Sequence, residues 1–124
     1  MKDVPVYLFT GFLEAGKTKF IQESMEDPRV NNGQKTLILL CEEGLEELDP
    51  SAFANQNVFI EPVENEEDLQ PAALKRLLDR NKCERVIVEY NGMWQLSTLY
   101  EKMPEGWVVA QEYLFADARS FAAY

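Results

Sequence analysis

The run Gly11-Phe12-Leu13-Glu14-Ala15-Gly16-Lys17-Thr18 sets two glycines ahead of an adjacent lysine and hydroxyl. Its spacing, G-x4-G-K-[ST], is that of a loop that wraps phosphate. Each residue type has a task in that chemistry. Glycine lets the backbone turn tightly and approach the anion. A helix opening at Gly16 would add about half a positive charge from its unpaired N–H groups. Lys17 can reach the β- and γ-phosphates, and the Thr18 hydroxyl can take one position on Mg²⁺, a cation that prefers oxygen ligands. Gly11, Phe12, Leu13, Glu14, Ala15, Gly16, Lys17, Thr18 and Lys19 form the candidate phosphate-contacting set. At ordinary residue frequencies the pattern arises by chance in fewer than roughly 1 in 100 chains of this length.

Phosphate held with Mg²⁺ also needs a carboxylate at the end of a neighbouring strand. The stretch "VIVEYNG" (86–92) supplies an apolar run and then Glu89. Glu42, just after "TLILLC" (36–41), is a second acid in the same kind of position. Thr18, Glu42 and Glu89 are therefore the candidate metal residues, and Lys17, Glu42 and Glu89 the candidate catalytic ones. Another metal chemistry is poorly served. Two cysteines, Cys41 and Cys83, and no histidine cannot supply the four soft ligands of a structural zinc. The cysteines read as small buried hydrophobes. Neither "EEGLEELD" nor "ENEED" has the alternating acid spacing of a calcium loop, so both read as solvated turns.

The chain has 124 residues, 46% of them hydrophobic, with a net charge of -10. That size suits one domain with a real core. The acidic balance argues against nucleic acid or an anionic membrane as a general partner. Widely spaced cysteines without a disulfide framework suit a reducing cytoplasm. "VPVYLFTGFL" has the length of a leader's apolar region, but Asp3 and Pro5 fit one poorly. No run approaches the 18 apolar residues of a membrane span, so no membrane insertion is expected.

The elements that must position these residues follow from the apolar runs. "VPVYLF" (4–9), "TLILLC" (36–41), "NVFIE" (57–61) and "RVIVEY" (85–90) read as strands. "WVVAQEYLFADA" (107–118) reads as a last strand, with a break near Gln111 and Glu112. Helices are expected from Gly16 to about Met25, from about 66 to 80, and over "MWQLSTLYEKM". In the second, Leu69, Ala73 and Leu77 form the apolar stripe, the acidic start and basic end match the helix dipole, and Pro71 must fall in the first turn. Trp94 and Trp107 are expected to pack on the sheet. Continuous apolar strands alternating with helices argue for an α/β fold: a three-layer domain with a mainly parallel sheet and helices on both faces.

With these residues assembled, the chain resembles the nucleotide-binding domain of the CobW/HypB/UreG family of P-loop GTPases. "GFLEAGKTK" resembles the family's "GFLGAGKTT", "LILLCEEG" its "hhhNEFG", Val86 to Gly92 its "hhhExxG", and "FADARSF" (115–121) its "VVDAxxF" strand. The resemblance implies a P-loop NTPase-like fold over residues 1–124 as the N-terminal portion of a longer family domain. It implies GTP or ATP as ligand with Mg²⁺ as cofactor. It also implies metallochaperone-type GTPase activity, with a protein partner or dimer completing the site. The text at the family's GCxCC motif is "EPVENEED", without cysteine, and the guanine-reading NKxD segment has no counterpart. Glu14 replaces a small residue and Lys19 a threonine. These departures favour a second reading, a P-loop-derived regulatory or interaction domain that does not hydrolyse. A small P-loop kinase is a third, but it needs a lid of arginines that the basic residues do not form.

Overall fold

The computed structural model of the chain describes residues 3–11, 16–41 and 48–115. Among these residues five strands form one sheet: β1 (Val4–Gly11), β2 (Thr36–Leu40), β3 (Val58–Pro62), β4 (Arg85–Glu89) and β5 (Trp107–Phe115). Their order across the sheet is β3-β2-β4-β1-β5, and every neighbouring pair is parallel. Among the described residues three α-helices connect them: α1 (Lys17–Glu26), α2 (Pro71–Arg80) and α3 (Leu96–Lys102). This is the expected three-layer α/β arrangement.

The strand order dictates where the helices lie. The chain moves in one direction from β1 to β2 to β3, then reverses from β3 to β4 to β5. Right-handed crossovers running in opposite directions must cover opposite faces. Ile21 and Met25 of α1, with Phe53 from the β2–β3 connection, accordingly pack on Phe9, Ile38 and Ile87. Leu69, Leu74 and Leu78, with Leu99 of α3, pack on Val6, Leu8, Leu37, Leu39, Val86 and Val88 of the other face. Residues Arg85–Glu89 are all buried, because β4 has strands on both sides and helices on both faces. That explains its continuous apolar run. Trp107 is buried in the second of these clusters and Trp94 packs against it.

Three elements depart from expectation. The helix read from 66 to 80 is two pieces, a 3₁₀ turn at Glu66–Asp68 and then α2 with Pro71 at its first turn. A residue before proline avoids the α region, and Gln70 is extended, with φ -128° and ψ 139°. The acidic residues thus make up a separate turn, and only Arg80 matches the dipole of α2. Its buried stripe is Leu74 and Leu78; Ala73 and Leu77 flank it half-buried. The third helix is shorter than the text suggested, starting at Leu96. In β5 the strand does not break at Gln111–Glu112. Val109 pairs with Val6 and Gln111 with Tyr7, so Ala110 is an extra residue. The bulge reverses the alternation beyond it. Tyr113 thereby lies on the α1 face, stacked on Phe9 with ring centroids 4.7 Å apart. Residues 116–118, read as the end of this strand, lie outside the described residues.

Candidate functional site at the ends of β1 and β4

β1 and β4 are adjacent, yet the connection leaving β1 and the connection leaving β4 depart to opposite faces. In open α/β sheets the crevice outside the carboxyl ends at such a switch point is where ligands bind. The described residues of the motif, Gly11 and Gly16 to Thr18, lie there. β1 ends at Gly11, with φ 123°, and α1 is preceded by Gly16 in the left-handed region, with φ 92° and ψ 14°. A Cβ at Gly16 would meet no atom within 4 Å. Glycine is required there by the torsion angle rather than by space. The Phe20 N–H donates to the Gly16 carbonyl at 3.0 Å, the first bond of the helix. The N–H groups of the first turn have no acceptor within the helix, and no acid sits in that turn to offset its positive end.

Lys17 opens α1 and is fully buried. Its Nζ donates to the Gly11 carbonyl at 2.9 Å and to the Tyr90 carbonyl at 3.0 Å. The ammonium therefore links the end of β1 to the residue following β4. Thr18, the next residue, donates its hydroxyl to Glu89 Oε1 at 2.7 Å. Glu89 is the last residue of β4, opposite Phe9 in register, and only 2% exposed. Its side chain shares the α1 face with Ile87. The flanking backbone is held: Cys41 N–H donates to the Glu89 carbonyl at 2.9 Å, and Tyr90 N–H to the Phe9 carbonyl at 2.9 Å.

Of the residues proposed from the motif, the structure brings Gly11, Gly16, Lys17, Thr18 and Glu89 together. Lys19 is exposed on α1, and its side chain makes no hydrogen bond with a described residue. Phe12, Leu13, Glu14, Ala15 and Glu42 lie outside the described residues. Tyr90 was not singled out from the text, although its carbonyl receives Lys17. Its phenol donates to the Gln95 carbonyl at 2.6 Å. Burial, then the nearby Glu66 and Cys41, push the phenol up to about 12. The only textual signal for Tyr90 is that it follows the acid at a strand end, which marks a position and not a role.

The oxygen chemistry of the pair Thr18–Glu89 fits Mg²⁺. Among the described residues no group of three or more His, Cys, Asp or Glu could cage a metal. Mg²⁺ needs no such cage, since it keeps waters and takes one or two protein oxygens beside substrate phosphates. Because the Thr18 O–H donates to the carboxylate, the lone pairs of its oxygen are turned away from Glu89, where they could serve a cation.

No family model matches the chain, and no curated protein or solved structure matches it. Among the described residues no helix is long and apolar enough to cross a membrane.

Proposed function

We propose that the chain is a Mg²⁺-dependent nucleoside-triphosphate-binding domain of CobW-like, metallochaperone-type character, binding GTP or ATP and hydrolysing it slowly. The observation that carries this reading is the hydrogen bond of Thr18 to the buried Glu89, made across two adjacent strand ends beside a glycine-preceded helix N-terminus. An ordinary strand–helix turn has no use for a buried lysine and a buried carboxylate on either side of a hydroxyl.

In this reading the N–H groups of the first turn of α1 and the Lys17 ammonium hold the β- and γ-phosphates. Lys17 exchanges its bonds with the Gly11 and Tyr90 carbonyls for phosphate oxygens. Glu89 orients the Thr18 hydroxyl and takes part in positioning water, with Glu42 as its proposed partner. Mg²⁺, when bound, offsets charge on the phosphates. The described arginines lie elsewhere: Arg29 meets Asp27, Arg80 meets Glu61, Arg85 meets Thr36 and Val30, and Arg76 is exposed on α2. Turnover is therefore slow unless a partner or a second copy supplies a cation.

The test is a titration of fluorescent GTP and ATP analogues with and without Mg²⁺, beside Lys17→Ala, followed by phosphate-release assays. Mg²⁺-dependent binding lost in the variant supports the reading. Binding without phosphate release favours the regulatory alternative. Absence of binding for both analogues, with the protein folded, overturns both.

A further inference from the structure

The far edge of the sheet carries a second feature, unconnected with phosphate. β3 has no outer neighbour among the described residues. Thr36 N–H donates to the Asn57 carbonyl and Val63 N–H to the Leu40 carbonyl, so odd-numbered residues here bond inward to β2. By alternation the N–H and C=O groups of Val58 and Ile60 face outward. Pro62, the next outward position, has no N–H to offer. The open edge is thus short and ends in a stop, as edges that avoid open-ended pairing do.

At the carboxyl end of this edge a groove of about 390 Å³ opens between Pro62–Val63 and α2. Val63 and Leu74 line it as buried apolar residues, with Leu77 half-buried beside them. Arg76 and Arg80 also line it, with Asp68. The Arg76 side chain makes no hydrogen bond or ion pair with a described residue and is exposed. Arg80 meets Glu61 at 3.2 Å, with its side chain 61% exposed. Screened pairs of that kind exchange partners readily. Residues 75–82 hold four basic side chains against one acid, Asp79, in a chain whose net charge is -10. This is a local reversal of the protein's charge, placed along an unpaired strand edge.

We propose that β3 and α2 receive an extended acidic segment of a partner protein, added as an outer strand. Backbone groups of that segment pair with Val58 and Ile60. Every second side chain faces α2, so an acid and an apolar residue two positions apart reach Arg76 or Arg80 and the groove over Val63 and Leu77. Strand addition of this kind draws affinity from the main chain and selectivity from alternate side chains. The other edge does not offer the same site, since β5 is bulged at Ala110 and carries Glu112.

The probe is a fluorescein-labelled decapeptide alternating glutamate with valine and leucine, titrated by polarisation against the whole chain. Its control carries lysine in place of glutamate. The expected result is saturable binding of the acidic peptide, weakened at least tenfold by Arg76→Glu with Arg80→Glu and by raised salt. Slowed amide exchange at Val58 and Ile60 on binding is expected as well. Arg80→Glu also loses the bond to Glu61 and the basic end of α2, so a small drop in thermal midpoint is expected; the midpoint is read in the same samples and binding is compared at a temperature where both proteins are folded. Equal binding of both peptides, or of the acidic peptide to the variant, overturns the proposal. So does protection at Val58 and Ile60 that depends on protein concentration alone, which would make the occupant a second copy of this chain.

Discussion

Arg85 and Glu89 stand four residues apart on one strand, on the same face, both buried, and they do opposite things. At the amino end of β4, Arg85 donates from Nε to Thr36 Oγ1 at 2.6 Å and from Nη2 to the Val30 carbonyl at 2.8 Å. Thr36 passes its own hydroxyl to the Gln34 carbonyl at 3.0 Å. Nearby, Asn31 donates to the Met25 and Asn55 carbonyls. All these bonds close on the chain itself and tie the 27–36 connection over the sheet. At the carboxyl end, Glu89 receives Thr18 beside a helix N-terminus whose N–H groups have no helical acceptor. Burial of a charge therefore does not mark a site. What distinguishes the two ends is the helix N-terminus: beside Glu89 the first-turn N–H groups of α1 have no acceptor within the helix, whereas the donors around Arg85 are spent on the fold.

The sharpest way to break this contrast is Lys17→Met, which removes the ammonium and keeps the stem. Nucleotide affinity is expected to fall 100-fold or more, about 3 kcal/mol, in a fluorescence titration. Unchanged affinity would make the carboxyl end as closed as the amino end. Arg85→Met should do the reverse. It leaves the Val30 carbonyl and the Thr36 hydroxyl without their cationic partner, and stability should drop by about 2–3 kcal/mol in urea unfolding. Nucleotide binding by the folded fraction should stay as in the parent; a loss of affinity without a loss of stability would assign function to the wrong end.

Glu89→Gln sharpens the comparison within the site. The amide oxygen can still accept from Thr18, but the charge is gone. The enhancement of nucleotide binding by Mg²⁺ is expected to shrink about tenfold, roughly 1.4 kcal/mol. Binding measured in chelator should change little. An Mg²⁺ effect of the same size in parent and variant would remove Glu89 from the cation's surroundings.

The smallest effect belongs to Tyr90→Phe, which loses the bond to the Gln95 carbonyl, worth about 1 kcal/mol. Its signature is in pH. Because the phenol is raised from 10.0 to about 12, the fold favours the neutral form. That contribution is complete below pH 10 and is lost as pH rises from there through about 12. Urea midpoints between pH 9 and 11.5 should fall less steeply in Tyr90→Phe than in the parent. Parallel slopes would mean that burial does not hold this phenol neutral.

Much of the fold was legible because parallel strands buried on both faces must be continuously apolar. "TLILL" and "RVIVE" announce themselves, and Glu89 stands out as the acid closing such a run. Pro71 announced a helix start, though not that the acids before it would form a separate turn. Arg85 was not legible as a buried residue, since arginine belongs on surfaces by composition. Its burial comes from a connection folding over a strand end. The Ala110 bulge was equally hidden, because one extra residue leaves the text apolar and changes only which face Tyr113 takes.

By itself the sequence determined the local devices: glycine where a left-handed turn is needed, a lysine and a hydroxyl opening a helix, apolar strands, and an acid at a strand end. These depend on a few neighbouring residues and their torsion angles. Only the tertiary structure decided that β4 lies beside β1. Thr18 and Glu89, 71 residues apart, thereby meet at 2.7 Å. Strand order is set by how crossovers pack helices on two faces, a property of the whole chain that no short stretch of it encodes.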